Sequence, residues 1–198
     1  MGYAYRMNDF SGIIWMVLAL LVLALALLWI AVPLITGLPW VPTRDKRIRT
    51  ALRMANLQPG ETVFDLGSGD GRVLIIAARE FGAQAVGIEI SPVHCLITWL
   101  RALLSGNSSR IRVRCASFYS SNLRDADVIY AYVTPEHGIR LRPYLEKQLH
   151  SGARVVTISA EIDGWQPEKI DRDDLVFLYH IPPTPGSVTT YLSKVFLE

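Results

Sequence analysis

Hydrophobic positions along the chain fall into two regimes. From Ile13 to Ile35, 23 consecutive residues carry no polar group beyond the indole N–H of Trp15 and Trp29, and no charged residue occurs between Asp9 and Arg44. Roughly 20 apolar residues cross the hydrocarbon core as a helix, so this run predicts a transmembrane helix over 13–35 behind a tail of residues 1–12. A secretory signal has an apolar core of only about 7–15 residues and a small-residue cleavage pattern, and neither is found here. Pro33, Gly37, Pro39 and Pro42 are expected to break the helix and leave a stiff linker over 36–42.

From residue 43 to 198 the pattern becomes that of a folded domain. Residues 43–56 place Ile48, Leu52 and Met54 or Ala55 on one side of a helix that stops at Gln58-Pro-Gly60. Short apolar runs then alternate with helical periodicity. Strands are expected at 62–66, 85–90, 111–115, 127–133 and 153–159, and helices at 72–81, 92–104 and 136–149. Ser91 and Pro92 supply the cap and first turn of the second of these helices. Such alternation predicts an α/β fold, a parallel sheet covered by helices on both faces. The end differs: Leu175–His180 and Val188–Phe196 both read as strands, separated by Ile181-Pro-Pro-Thr-Pro-Gly186, and predict a closing antiparallel hairpin.

Chemistry concentrates at the first of these strands. Asp65-Leu-Gly-Ser-Gly-Asp-Gly71 follows Val63 and Phe64, and Glu89 ends the next strand 24 residues after Asp65. Glycines let the backbone turn tightly beside a ligand, the following helix directs free N–H groups at it, and a carboxylate at the end of the second strand can accept both hydroxyls of a ribose. The spacing Gly67-x-Gly69-x-Gly71 is one residue tighter than the G-x-G-x-x-G of dinucleotide sites. Asp65 would repel a phosphate and attract an ammonium group. S-adenosylmethionine has the ammonium and no phosphate.

These residues resemble motif I of class I methyltransferases. Trp40-Val-Pro-Thr43, the loop Asp65–Arg72 and Gly87-Ile-Glu-Ile-Ser-Pro92, in this order behind a hydrophobic segment, are together similar to the membrane-anchored lysine N-methyltransferases related to the ATP synthase c-subunit enzyme. The resemblance implies a Rossmann-like fold with a mostly parallel seven-stranded sheet. It also implies S-adenosyl-L-methionine as cofactor, held by Pro42, Thr43, Asp65, Gly67, Ser68, Gly69, Asp70, Gly71, Glu89, Ile90, Ser117, Phe118 and Tyr132. Ser117-Phe118-Tyr119 departs from the family, which carries an acid followed by Leu-Trp and uses that acid on the adenine amino group. Tyr132-Val-Thr-Pro-Glu136 is not the Asn-Pro-Pro-Tyr of amino-directed nucleic-acid methyltransferases, so no nucleic-acid partner is expected.

Methyl transfer from a sulfonium is a direct displacement in which an enzyme contributes mainly proximity and orientation. A lysine nucleophile must first lose its proton, which an apolar surround and an acceptor favour. The candidates at the ends of strands four and five are Tyr132, Thr134, Glu136 and Glu161. His94 and His137 near helix starts read as ordinary histidines, and Trp165 either walls the substrate mouth or packs a loop.

Composition adjusts the picture at a few points. The chain of 198 residues is 51% hydrophobic, with the excess in the N-terminal run. A net charge of +2 is too small to argue for nucleic acid. Cys95 and Cys115 have no metal-type spacing, and no metal is expected. Arg44, Lys46, Arg47, Arg49 and Arg53 against Asp45 make the C-terminal flank the positive side, so the domain is expected in the cytoplasm or the inner compartment of an organelle. The expected partner is a membrane-associated protein. Methylation of a small molecule, lipid or quinone, or a non-catalytic cofactor-binding adaptor, remain the alternatives.

Overall fold

The computed structural model describes the backbone of residues 4–36 and 42–195, with side chains at 11–27 and 42–193. It divides into two compact units, Met1–Val41 and Pro42–Glu198.

The first unit holds one helix, α1 (Ala4–Thr36). It begins well inside the expected tail 1–12, because Arg6, Asn8 and Asp9 are all compatible with a helix and only Gly12 weakens it. It also runs past Pro33, which sits in the final turn and removes a single hydrogen bond. Side chains 11–27 are exposed all round. Among the described residues no helix is long and apolar enough to cross a membrane. The side chains of 28–35 in the expected span, most of the linker over 36–42, and Trp40 and Val41 lie outside the described residues.

The second unit opens with α2 (Asp45–Met54), which buries Ile48, Ala51 and Leu52. Then follow β1 (Thr62–Leu66), α3 (Arg72–Glu80), β2 (Gln84–Glu89), α4 (Pro92–Leu104), β3 (Ile111–Cys115), β4 (Val128–Tyr132), α5 (Pro135–Gln148) and β5 (Arg154–Ile158). The chain finishes with β6 (Trp165–Gln166), β7 (Lys169–Asp171), β8 (Val176–His180), β9 (Thr184–Pro185) and α6 (Val188–Val195). The main sheet has the order β3-β2-β1-β4-β5-β8-β7, parallel from β3 to β5 and antiparallel at β8 and β7. Each face carries its own core. Val63, Val128 and Val156 meet α2 and α3 on one side, while Phe64, Ile129 and Val155 meet Leu141 and Leu145 of α5 on the other. Arg154 ties α2 to the sheet by donating to the carbonyls of Ala55 (2.7 Å) and Asn56 (3.0 Å) and to Glu61 (2.6 Å).

A closing hairpin is present, but built from other residues than expected. β8 pairs with β7, not with 188–196, which is helical over Val188–Val195. Val188, Thr189, Thr190 and Tyr191 have strand propensity, yet both edges of β8 are occupied, one by β5 and one by β7. The segment is capped as a helix instead: Ser187 Oγ accepts the Thr190 N–H at 3.2 Å, and Glu161 accepts that of Val188 at 2.9 Å.

Candidate active site

The order of the strands reverses between β1 and β4, and open α/β sheets bind ligands outside the C-terminal strand ends at such a point. The glycine turn lies there. Gly67 and Ser68 donate to the carbonyl of Ile88 at 2.8 and 3.1 Å, which fixes the turn to the end of β2. Gly67, Gly69 and Gly71 all have positive φ, 88°, 53° and 75°. A Cβ at Gly67 would meet nothing within 4 Å, whereas one at Gly71 would lie 2.4 Å from Thr98 Cγ2. The surroundings at Gly71 are protein, and those at Gly67 are open space. We therefore expect Gly71→Ala to lose on the order of 2–3 kcal/mol of stability in chemical denaturation, from backbone strain and overpacking together. Gly67→Ala is expected to lose about half of that and to weaken ligand binding instead.

Three carboxylates surround the turn. Asp70 is held by Arg72 at 2.8 Å and by Arg101, whose guanidinium also donates to the Asp70 carbonyl at 2.9 Å. Burial raises the Asp70 pKa, but the Arg72 hydrogen bond and the two guanidinium charges outweigh it and hold the carboxyl below its ordinary value. Glu89 is buried, and each of its oxygens accepts one backbone N–H, from Gly69 at 2.9 Å and from Ser91 at 2.8 Å. A carboxylate has about four acceptor sites, so further hydroxyl donors can still be taken. Asp65 is buried, and burial first, then the charges of Glu89 and Asp70, push its carboxyl well above the ordinary range. It shares a sheet face with Tyr130 on β4 and lies opposite Gly87 on β2. A carboxylate left this unfavourable is suited to a cationic ligand.

The other expected cofactor residues surround this turn. Arg72 donates to the Thr43 carbonyl at 3.0 Å, which brings Pro42 and Thr43 to the loop. Ile90, 45% exposed, follows Glu89. The Ala116 N–H donates to the Glu89 carbonyl at 2.9 Å, so Ser117 and Phe118 begin just beyond it. The Ser117 side chain makes no cap hydrogen bond, and its carbonyl accepts from Ser120 and Ser121. Phe118 lies 4.4 Å from the Tyr119 ring, over which Arg140 stacks. Burial, with Cys115 alongside, pushes the Cys95 thiol up to about 12, and its sulfur donates to the Glu89 carbonyl at 3.4 Å.

The four acceptor candidates separate into different settings. Tyr132 ends β4 half-buried, and Thr134 caps α5 two residues later. Thr134 Oγ1 accepts the His137 amide at 3.4 Å and lies 2.7 Å from His137 Nδ1. With the ring proton on Nε2, the hydroxyl donates to Nδ1. Glu136 is exposed in the first turn of α5, where the helix dipole favours an acid. Glu161 caps α6, and its carbonyl closes on Gly138, where a Cβ would lie 2.8 Å away. Trp165 is a core residue against Tyr179 and walls no opening.

Several contributors are invisible to motif reading. Thr98 donates to the Gly69 carbonyl at 2.8 Å, and Gly87 leaves room where a Cβ would lie 2.6 Å from both Leu74 and Ser68. Arg47 donates to Ser159 Oγ at 3.1 Å and to the Asp174 carbonyl, holding Ser159 in a left-handed conformation at the end of β5. Thr98 and Arg101, polar residues among the leucines of α4, are the available signal for this group.

A family model described as the ANTKMT methyltransferase domain matches residues 65–169. A protein-lysine N-methyltransferase of Saccharolobus islandicus is 33% identical over 150 residues, 72% of this chain and 93% of the relative. The lysine N-methyltransferase of Mus musculus named for the ATP synthase c-subunit is 30% identical over 165 residues, 79% of this chain and 66% of the relative. Among solved structures, an RNA methyltransferase from Salinibacter ruber in complex with S-adenosyl-L-homocysteine superposes with a TM-score of 0.70 and 32% identity. The match covers 75% of this chain and 97% of that one.

Proposed function

Because this chain belongs to the family of the ANTKMT methyltransferase domain, we propose that it is an S-adenosylmethionine-dependent methyltransferase acting on a lysine side chain of a membrane-associated protein. The observation that carries the cofactor assignment is the pairing of Asp65 with Glu89 across the glycine turn. Asp65, buried and raised, fits an ammonium. Glu89, its oxygens only partly occupied, fits the two hydroxyls of a ribose. Open space above Gly67 leaves room between them. Gly67, Ser68, Gly69, Asp70 and Gly71 shape the turn, Ile90, Ser117 and Phe118 approach it from the β2–β3 side, and Tyr132, with Pro42 and Thr43, from the β4 side. Ser117 has no carboxylate to offer an adenine amino group, so its hydroxyl makes that contact more weakly or backbone carries it.

When bound, S-adenosylmethionine supplies an electrophilic methyl group on a positively charged sulfur. The chain's own residues must desolvate the lysine, take its proton away and aim its nitrogen. Tyr132 and Thr134 stand nearest this task, at the end of β4 beside the turn. The Thr134–His137 pair offers a hydroxyl and an imidazole in contact through which a proton can leave. Glu136 draws the ammonium toward the rim, and Glu161 holds α6 in place. On this reading Thr134→Val lowers kcat about tenfold and leaves the cofactor Kd unchanged, while Thr134→Ser restores the rate.

The membrane part of the proposal rests on the apolar run 13–35. A helix whose side chains over 11–27 are exposed and almost wholly apolar finds its compatible solvent in lipid. The basic flank after it supports a domain on the cytoplasmic side or in the inner compartment of an organelle. The test is transfer of labelled methyl groups from S-adenosylmethionine into membranes, with protein, lipid and RNA recovered separately. Methylated lysine in a membrane-associated protein is the expected result. Label confined to RNA or to lipid would replace the lysine assignment.

A further inference from the structure

Tyr130 puts a hydroxyl into an apolar layer. It stands on β4 opposite Asp65 of β1, on the sheet face covered by α2 and α3, in the core it shares with Val63, Val128 and Val156. The residue is 2% exposed, and its oxygen is buried and makes no hydrogen bond among the described residues. A buried hydroxyl without a partner lowers stability, and phenylalanine would fill the same space without that penalty. Packing therefore explains the ring and not the oxygen.

The groups around this oxygen differ in sign. Burial first, and then the charge of Asp65, raise the Tyr130 pKa, whereas the Thr43 hydroxyl and the guanidinium charges of Arg47 and Arg72 act against them. The hydroxyl stays protonated and stands between the acid and the two bases. Thr43 faces it without completing a hydrogen bond. The Thr43 backbone is fixed, since its carbonyl accepts from Arg72 at 3.0 Å, and its side chain is half-buried. The Arg47 guanidinium donates to neutral oxygens, those of the Asp174 and Leu175 carbonyls and Ser159 Oγ, which leave its charge in place.

S-adenosylmethionine ends in an amino acid, so a carboxylate accompanies the ammonium assigned to Asp65. We infer that Tyr130 is a positioning residue for this carboxylate: its O–H donates to Thr43 Oγ1, and the Thr43 hydroxyl donates in turn to the carboxylate, on the guanidinium side of Asp65. A threonine hydroxyl has one proton. Once that proton is directed at the carboxylate, the Thr43 oxygen needs a donor behind it, and Tyr130 is placed to be one. Two hydrogen bonds in series that end on an anion strengthen each other. The inference rests on the cofactor reading above and adds how the amino-acid end is turned.

Calorimetric titration of the full chain in detergent tests this with two ligands. One is S-adenosylhomocysteine, and the other is its decarboxylated analogue, which keeps the ammonium and lacks the carboxylate. Tyr130→Phe is expected to bind S-adenosylhomocysteine about three- to tenfold more weakly than the parent and the analogue equally well, while melting at the same temperature or higher. Thr43→Val should show the same selectivity with a larger loss, Thr43→Ser should restore binding, and the Tyr130→Phe/Thr43→Val double variant should bind no worse than Thr43→Val alone. Equal losses for both ligands, no loss for either, or additive losses in the double variant would overturn the inference and leave the cofactor reading standing. A parent that binds neither ligand would overturn the cofactor reading, and this inference with it.

Discussion

Asp65→Asn is expected to stabilise the protein and at the same time abolish its tight binding of the methyl donor. The two effects share one cause. The Asp65 carboxyl is buried, and burial and the neighbouring charges of Glu89 and Asp70 all disfavour its ionisation. Its native pKa is raised, so between the ordinary carboxylate range and that raised value the folded protein holds more protons than the unfolded chain. Stability then falls as pH rises through this interval. Asparagine removes the dependence. The variant should melt at the same temperature as the parent near the bottom of the ordinary carboxylate range, and progressively higher as pH rises above it. Binding moves the other way. An ammonium facing Asp65 restores the carboxylate, so affinity for S-adenosylhomocysteine should rise with pH in the parent. It should fall in the variant by on the order of 2–4 kcal/mol, or about 30- to 1000-fold. Thermal melts and calorimetric titrations across pH would check both arms. A variant that is less stable and binds equally well would remove Asp65 from the site.

Glu89→Ala is the second large effect, and here stability and binding fall together. Glu89 accepts the N–H of Gly69 in the turn and that of Ser91 at the entry to α4. Losing it leaves two buried donors without acceptors, at a cost of about 1–3 kcal/mol each. The turn loosens, and the ribose loses its acceptor. We expect cofactor affinity to drop by about 100-fold or more and transfer to become undetectable in membranes. A cycle with an analogue lacking the ribose 2′-hydroxyl separates the two roles. The parent should lose affinity for the analogue and the variant should not, because the partner of that hydroxyl is already gone. Equal losses in both would mean that Glu89 acts only as a clamp on the turn.

Much of the domain is legible in the sequence because its elements are locally determined. The strands from 62 to 158 are short apolar runs bounded by glycine, proline and caps, and they form within a residue or so of where the pattern puts them. The site loop is legible for the same reason, since three glycines, an acid before them and an acid one strand later are close in the chain. Residues 188–195 mislead such a reading, because β-branched and aromatic residues have strand propensity there but the sheet has no free edge beside β8. The short β7 escapes it, because three residues among many charges give no period.

The sequence alone determined the parallel sheet, the glycine turn at its centre with Asp65 and Glu89, and the apolar character of residues 13–35, since each depends on residue type and spacing within a few turns of chain. Only the tertiary structure decided which polar groups act on that turn. Thr98 on the Gly69 carbonyl, Arg101 on Asp70 and Arg47 on Ser159 are contacts between distant segments, set by helix packing on the sheet and not by any local pattern. The elevation of Asp65 is likewise tertiary. A carboxylate in a loop motif is ordinary until burial and two neighbouring acids make its charge unfavourable, and that environment exists only once β1, β2 and the turn have come together.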